Sequence, residues 1–200
     1  MNITFTGTHG IGKTTLATWL AATLNMSYIP EFAREFLEQG FQINSLEDFI
    51  DFETQILMKK IESEKTALSL GKGIVSDRSY MDYTVYLKNG LSRFPYESIK
   101  DLHIRDQKVI HFFNDYESFC REHNEIYDII FFLTPFSEFI SPEFDYREKN
   151  PFATNIIQDL LFNEYREEIK TNKVVIIKEK DLLKRQSLII QTLKERGFLV

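Results

Sequence analysis

Two hundred residues suffice for one α/β domain with a sizeable core, and an apolar share of 43% against 27% charged is the balance of an ordinary globular chain. Twenty-four basic and thirty acidic residues leave a net charge of −6, which argues against a dedicated nucleic-acid binder with its global basic excess. Cys120 is the single cysteine, excluding an intrachain disulfide and a cysteine-based zinc cluster.

The chain opens on a strand-like run, Asn2-Ile3-Thr4-Phe5-Thr6, where a leader would show a basic and then an apolar stretch. Its apolar runs are far too short for a membrane span. The expected setting is therefore reducing and cytoplasmic, with no membrane partner.

Residues 2–7 read as a buried strand and 13–24 as a Leu- and Ala-rich helix. A short strand over 27–30 stops at Pro30, and 31–39 reads as a short helix ending near Gly40. Ser45 and Asp48 form a capping-box pair that opens a long helix to about Leu70. Phe49, Phe52, Ile56, Leu57 and Ile61 give that helix one apolar face.

Residues 74–76 are a third strand, closed by Asp77-Arg78-Ser79. Two or three helices are expected between 79 and 123, broken at Asn89-Gly90 and at Phe94-Pro95. Residues 128–133 are apolar on both faces, as a central parallel strand is. The stretch from about 136 to 150 is mixed and polar, a lid candidate. Pro151, with Asn150 as cap, starts another helix. A fifth strand over 173–177 and a closing helix over 181–196 complete the chain. Strands separated by helices predict a three-layer αβα fold with a five-stranded parallel sheet, and no linker divides the chain, so residues 1–200 are expected to be one domain.

The segment Gly7-Thr8-His9-Gly10-Ile11-Gly12-Lys13-Thr14 fits G-x-x-x-x-G-K-[ST] at every fixed position and lies between a predicted strand and a predicted helix. Glycines let successive N–H groups wrap a phosphate with no Cβ in the way. Lys13 reaches the β- and γ-phosphates, the Thr14 hydroxyl ligates Mg²⁺, and Thr15 continues the loop into the helix whose positive end faces the anion. ATP and Mg²⁺ are the expected cofactors. His9 reads as a loop residue facing solvent or nucleotide, without a catalytic role.

Three further segments belong with this loop. Asp77 stands at the carboxyl end of a strand, where open α/β folds bind ligands. From there it can hold Mg²⁺ or an acceptor hydroxyl, or simply cap the next helix. Arg78 offers a planar fork to a phosphoryl group. Glu31 follows the second strand and can accept a proton from an attacking hydroxyl, with Arg34 one turn on; its alternative is an acidic first-turn residue. On the lid candidate, Arg147 can neutralise a transferring phosphoryl group. Tyr80, Tyr83, Arg93 and Phe112 are possible acceptor contacts.

The phosphate loop, the Pro30-Glu31-Phe32-Ala33-Arg34-Glu35 segment and the Asp77-Arg78-Ser79 turn together resemble the P-loop nucleoside and nucleotide kinases. The nearest resemblance is to NadR-type nicotinamide-ribonucleoside kinases and their thymidylate-kinase-like relatives. It implies a five-stranded parallel sheet and an acceptor-contacting carboxylate at Glu31. It also implies metal and substrate roles for Asp77 and Arg78, a lid arginine at Arg147 and a substrate contact at Arg34. The chain departs from the family in having one good lid arginine rather than a cluster. It also lacks the Arg-Glu-Pro type of segment found in thymidylate kinases after strand two.

The expected activity is transfer of the γ-phosphoryl group of ATP to a small nucleoside, nucleotide or ribosyl acceptor. The alternatives are a P-loop ATPase or regulatory module, and a polynucleotide or modified-base kinase. A GTPase is disfavoured because Asn172-Lys173-Val174-Val175 lacks the Asp of a guanine-reading Asn-Lys-x-Asp.

Overall fold

The computed structural model describes residues 1–92, 94, 99–135 and 151–199. The five expected strands are β1 (Asn2–Thr6), β2 (Ser27–Ile29), β3 (Ile74–Asp77), β4 (Ile129–Leu133) and β5 (Val174–Ile177). They form one all-parallel sheet in the order β2-β3-β1-β4-β5. The helices are α1 (Lys13–Leu24), α2 (Ala33–Glu38), α3 (Leu46–Ser69), α4 (Tyr80–Leu91), α5 (Ile99–His123), α6 (Pro151–Glu164), α7 (Arg166–Lys170) and α8 (Leu182–Glu195).

Every strand next to β1 is reached by a long crossover, so both sheet faces are covered and the strands read as apolar runs. Alternation along each strand divides the core. Ile3, Phe5, Val75, Ile129, Phe131 and Leu133 pack under α1 and α8, while Ile74, Ile130 and Phe132 pack under α3, α4 and α6. Phe5 and Phe131 stack at 5.4 Å between neighbouring strands.

Local chemistry sets the helix starts. Ser45 and Asp48 make the expected reciprocal cap on α3, and Ser79 and Asp82 make a second on α4. Asp77, considered above as a cap, leaves that task to Ser79. The expected break at Asn89-Gly90 does not occur, since α4 runs through it to Leu91. Packing explains the glycine: a Cβ at Gly90 would stand 1.9 Å from the Phe49 ring of α3. The close approach of the two helices outweighs the roughly 1 kcal/mol that a helical glycine costs.

The stripe of α3 also carries three charges into the interior: Glu53, Lys60 and Glu64. Lys60 Nζ donates to Glu64 Oε1 at 2.7 Å, to Ser76 Oγ at 2.5 Å and to the Arg78 carbonyl at 3.1 Å. Glu64 also accepts from Tyr80 at 2.6 Å and from Tyr127 at 2.7 Å. Burial opposes ionisation of Glu64, yet Lys60 and the two phenols hold its carboxyl below the usual range. Tyr80, a candidate acceptor contact, is thereby a buried member of this network.

The pair is stable only as a pair. Lys60→Met, which strands the Glu64 carboxylate, is expected to lower stability by about 3–5 kcal/mol in urea unfolding. Adding Glu64→Gln should restore part of the loss; strictly additive losses would contradict the coupling.

Candidate active site

β1 is the central strand, and the chain leaves it toward β2 on one side while β4 continues to β5 on the other. The crevice at such a switch point, beyond the carboxyl ends of the strands, is where open α/β sheets take ligands. The glycine-rich loop from Gly7 to Gly12 fills that position. Gly7 has φ 130°, and a Cβ there would meet the Leu133 carbonyl oxygen at 2.6 Å. Only glycine lets the loop turn this close to β4.

α1 starts at Lys13 with Gly12 as its N-cap, without a side-chain cap and without an acidic residue in its first turn. Its first amides and positive pole are thus directed to an anion. Lys13 is buried, and its Nζ donates to the carbonyls of Gly7 at 2.9 Å and Thr8 at 2.7 Å. Burial lowers its pKa to about 8; Arg78 adds to the effect, while Asp77, Asp82 and Glu31 oppose it. Two distant side chains brace the loop. Gln158 of α6 accepts from Thr8 N at 3.1 Å and donates to the Leu133 carbonyl at 3.3 Å. Arg185 of α8 donates to the Ile11 carbonyl at 2.6 Å and to the Glu179 carbonyl at 2.5 Å.

β3 delivers Asp77 opposite Phe5 of β1. The exposed Thr14 hydroxyl donates to Asp77 Oδ2 at 2.5 Å, while Asp77 Oδ1 is buried and has no hydrogen-bond partner among the described residues. Burial raises the Asp77 pKa, and Lys13 counters it. A hydroxyl and a carboxylate oxygen side by side form a donor set for a hard cation, and magnesium fits it. Among the described residues no cluster of three His, Cys, Asp or Glu could hold a metal alone. A magnesium ion here would therefore draw its remaining ligands from phosphate and water, as that ion commonly does.

Arg78 has φ 86° and is nearly buried. Its guanidinium pairs with Glu31 at 2.7 Å and lies over the Tyr86 ring, 4.1 Å from the centroid. Burial works against its charge, but Glu31 more than compensates and holds the pKa above its ordinary value. Glu31 lies in the link between β2 and α2, not in a helical first turn.

His9 does not simply face outward: its Nδ1 lies 3.0 Å from Tyr86 Oη, because α4 brings the phenol against the loop. Asp82, absent from the sequence expectations, accepts from Thr6 Oγ1 at 2.7 Å and from Ser79 Oγ at 2.6 Å, at the end of β1 beside the loop.

The structure thus brings together Gly7 through Thr15, Glu31, Asp77 and Arg78. Arg34 is exposed on α2, and Phe112 packs at a tilt against Tyr116, with ring centroids 5.7 Å apart. Arg93, Arg147 and the lid candidate lie outside the described residues.

A parallel sheet of this order with a glycine-rich loop after its central strand is the three-layer α/β fold that P-loop nucleoside and nucleotide kinases share. The chain belongs to the AAA domain family, whose profile matches residues 2–185. It superposes on the NadR protein in complex with NR with a TM-score of 0.71 at 22% identity, over 99% of this chain and 52% of that one. The chain therefore spans about half the length of that protein. Deoxyadenosine kinase from M. mycoides, with products dCMP and dCDP, matches with a TM-score of 0.68 at 18% identity, covering 98% and 100% of the two chains. Thymidylate kinase from Candida albicans matches with a TM-score of 0.64 at 15% identity over 98% and 91%. These likenesses concern the fold. No curated protein matched the chain by sequence. No helix among the described residues is long and apolar enough to cross a membrane.

The buried lysine makes a testable demand on stability. A lysine whose folded pKa is about 8 against 10.5 unfolded penalises the fold at neutral pH, and the penalty fades as pH rises through that window. Lys13→Met is expected to gain stability over the native chain at pH 7, by up to about 3 kcal/mol, and to lose that advantage by pH 10.5. Thermal unfolding across this range checks the sign; a gain that grows with pH would refute it.

Proposed function

We propose that the chain is an ATP-dependent kinase, a single P-loop unit that transfers the γ-phosphoryl group to a small nucleoside, nucleotide or related ribosyl acceptor. The observation that carries this reading is the convergence, at one sheet edge, of the loop with Lys13, the Thr14–Asp77 contact and the Glu31–Arg78 pair. A nucleotide-holding half and an acceptor-holding half then face each other. The relatives' ligands, NR in one and dCMP and dCDP in another, are of the same chemical kind.

In this reading the amides of Gly7 through Thr15 cradle the triphosphate of ATP, and Lys13 gives up its loop carbonyls to pair with the phosphates. Thr14 and Asp77 would hold magnesium, which supplies charge neutralisation on the phosphate oxygens. Glu31 holds the acceptor hydroxyl and takes its proton as the new O–P bond forms and ADP departs. Arg78, pre-aligned by Glu31 and Tyr86, offsets the charge of the phosphoryl group or of an acceptor phosphate. Arg34 is assigned a substrate contact, and Arg147, on the lid candidate, neutralisation of the transferring phosphoryl group. Positioning and electrostatics are what phosphoryl transfer demands of a protein. The lone buried Cys120 and the acidic charge favour a cytoplasmic enzyme acting on small molecules rather than nucleic acid.

ADP release should appear when the purified chain receives MgATP with one member of a panel of nucleosides, nucleotides and nicotinamide riboside. It should be absent without acceptor and fall at least about 100-fold in Lys13→Ala. Acceptor-independent release would favour an ATPase, and normal turnover in the lysine variant would end the kinase reading. Asp77→Asn is expected to reduce transfer far more than ATP binding; an equal loss of both would confine Asp77 to nucleotide binding.

A further inference from the structure

Beyond the phosphate loop, α3 buries a carboxyl group within electrostatic reach of the Glu31–Arg78 pair. Glu53 follows Phe49 by one turn on the apolar stripe, is 5% exposed, and its Oε2 has no hydrogen-bond partner among the described residues. Two other buried atoms share that condition, Tyr83 Oη on α4 and Arg78 Nε. Phe49 of α3 meets Gly90 of α4, and Lys60 lies 5.9 Å from the Tyr83 ring centroid, so Glu53, between the two on α3, belongs to the same α3–α4 seam as Tyr83; both feel the charges of Arg78 and Glu31. From α5, Tyr116 donates to the Glu53 backbone carbonyl at 3.3 Å, and both Tyr116 and Cys120 lie near enough to feel its charge.

The contrast with the same helix two turns on is informative. Lys60 and Glu64, equally buried, have partners at every turn. A buried polar atom left without one costs about 1–3 kcal/mol. Three such atoms beside the acceptor pair are accounted for if a ligand completes them.

We propose that Glu53 and Tyr83 form the acceptor-reading floor of the site and bind a planar ligand through an edge carrying a donor next to an acceptor. A carboxamide, or a ring nitrogen beside an amino group, is such an edge. Burial pushes the Glu53 carboxyl up to about 8; Arg78 draws it down and Glu31 pushes it up again. Near neutrality the group is a carboxylic acid, with one O–H to give and one carbonyl to accept. It therefore matches such an edge in a paired contact, while the neutral Tyr83 hydroxyl offers a further bond. The floor's place beside the acceptor rests on the kinase function proposed above, but binding at it can be measured without turnover.

The test is calorimetric titration of the full chain, with MgADP present, using adenosine and nicotinamide riboside. Each is paired with a counterpart stripped of the edge group, purine riboside and pyridine riboside. At least one edge-bearing probe should bind, about ten-fold or more tighter than its counterpart. Glu53→Leu should abolish that preference, while Glu53→Gln, which keeps a donor and an acceptor, should bind within about three-fold of the native chain. Affinity in the native chain should fall between pH 7 and pH 9, with proton uptake on binding near pH 8, seen by comparing buffers of different ionisation enthalpy. Glu53→Gln should show neither effect.

Failure of both edge-bearing probes to bind, an unchanged preference in Glu53→Leu, or proton uptake persisting in Glu53→Gln would each overturn the proposal. ADP release measured on the same samples separates the two claims. Glu53-dependent binding without transfer would sink the kinase function alone, and transfer indifferent to Glu53 would sink the acceptor floor alone.

Discussion

At the end of β3 the backbone turns through Arg78 with a positive φ, a conformation that costs a non-glycine residue about 1–2 kcal/mol. Five contacts hold it there. Its amide donates to the Phe5 carbonyl at 3.0 Å, so the turn continues the ladder of the central strand. Its carbonyl accepts from Lys60 and from Ser76. Its guanidinium is taken by Glu31 and the face of Tyr86. Straightening this one residue would displace Asp77 before it and Ser79, the cap of α4, after it. Both halves of the site therefore depend on a turn whose strain is offset by its surroundings.

That dependence explains a costly feature of the core. Lys60 and Glu64 are a buried ion pair, and well-packed apolar residues often serve stability at least as well. Here the ammonium has a second task that an apolar side chain cannot take over, donating to the carbonyl of a strained residue. The interior charges of α3 thus extend the site downward: Lys60 supports the turn from beneath, and Glu53, two turns earlier on the same stripe, feels the charges of the ion pair that the turn presents.

How far the sequence disclosed this follows from the range of the interactions. The phosphate loop, the five strands and the capping box at Ser45 are local patterns, and each was legible because its residues are neighbours in the chain. Glu31, Asp77 and Arg78 could be placed by their position after strands. Asn89-Gly90 misled because a glycine that admits Phe49 looks in sequence like one that breaks a helix. Gln158 and Arg185 brace the loop from about 150 and 174 residues away, with no local signal. Glu53, Lys60 and Glu64 did leave a trace: they fall at helical spacing on the stripe marked by Phe49, Phe52 and Ile56. Ionisable residues on the inward face of a helix point to a pairing or a ligand, and a stripe read for its apolar members alone passes over them.

The position of β1 also has a consequence for the order in which the molecule can be made. Its neighbours in the sheet begin at Ile74 and Ile129, so the strand that leads into the phosphate loop is synthesised early and walled in late. At ribosomal speeds of about 5–20 residues per second, the loop emerges many seconds before the Leu133 carbonyl that confines it. For that interval the nascent segment has the glycines and the lysine but no crevice. The close approach of Gly7 to the Leu133 carbonyl can form only when the fourth strand docks, which couples the shaping of the crevice to closure of the sheet.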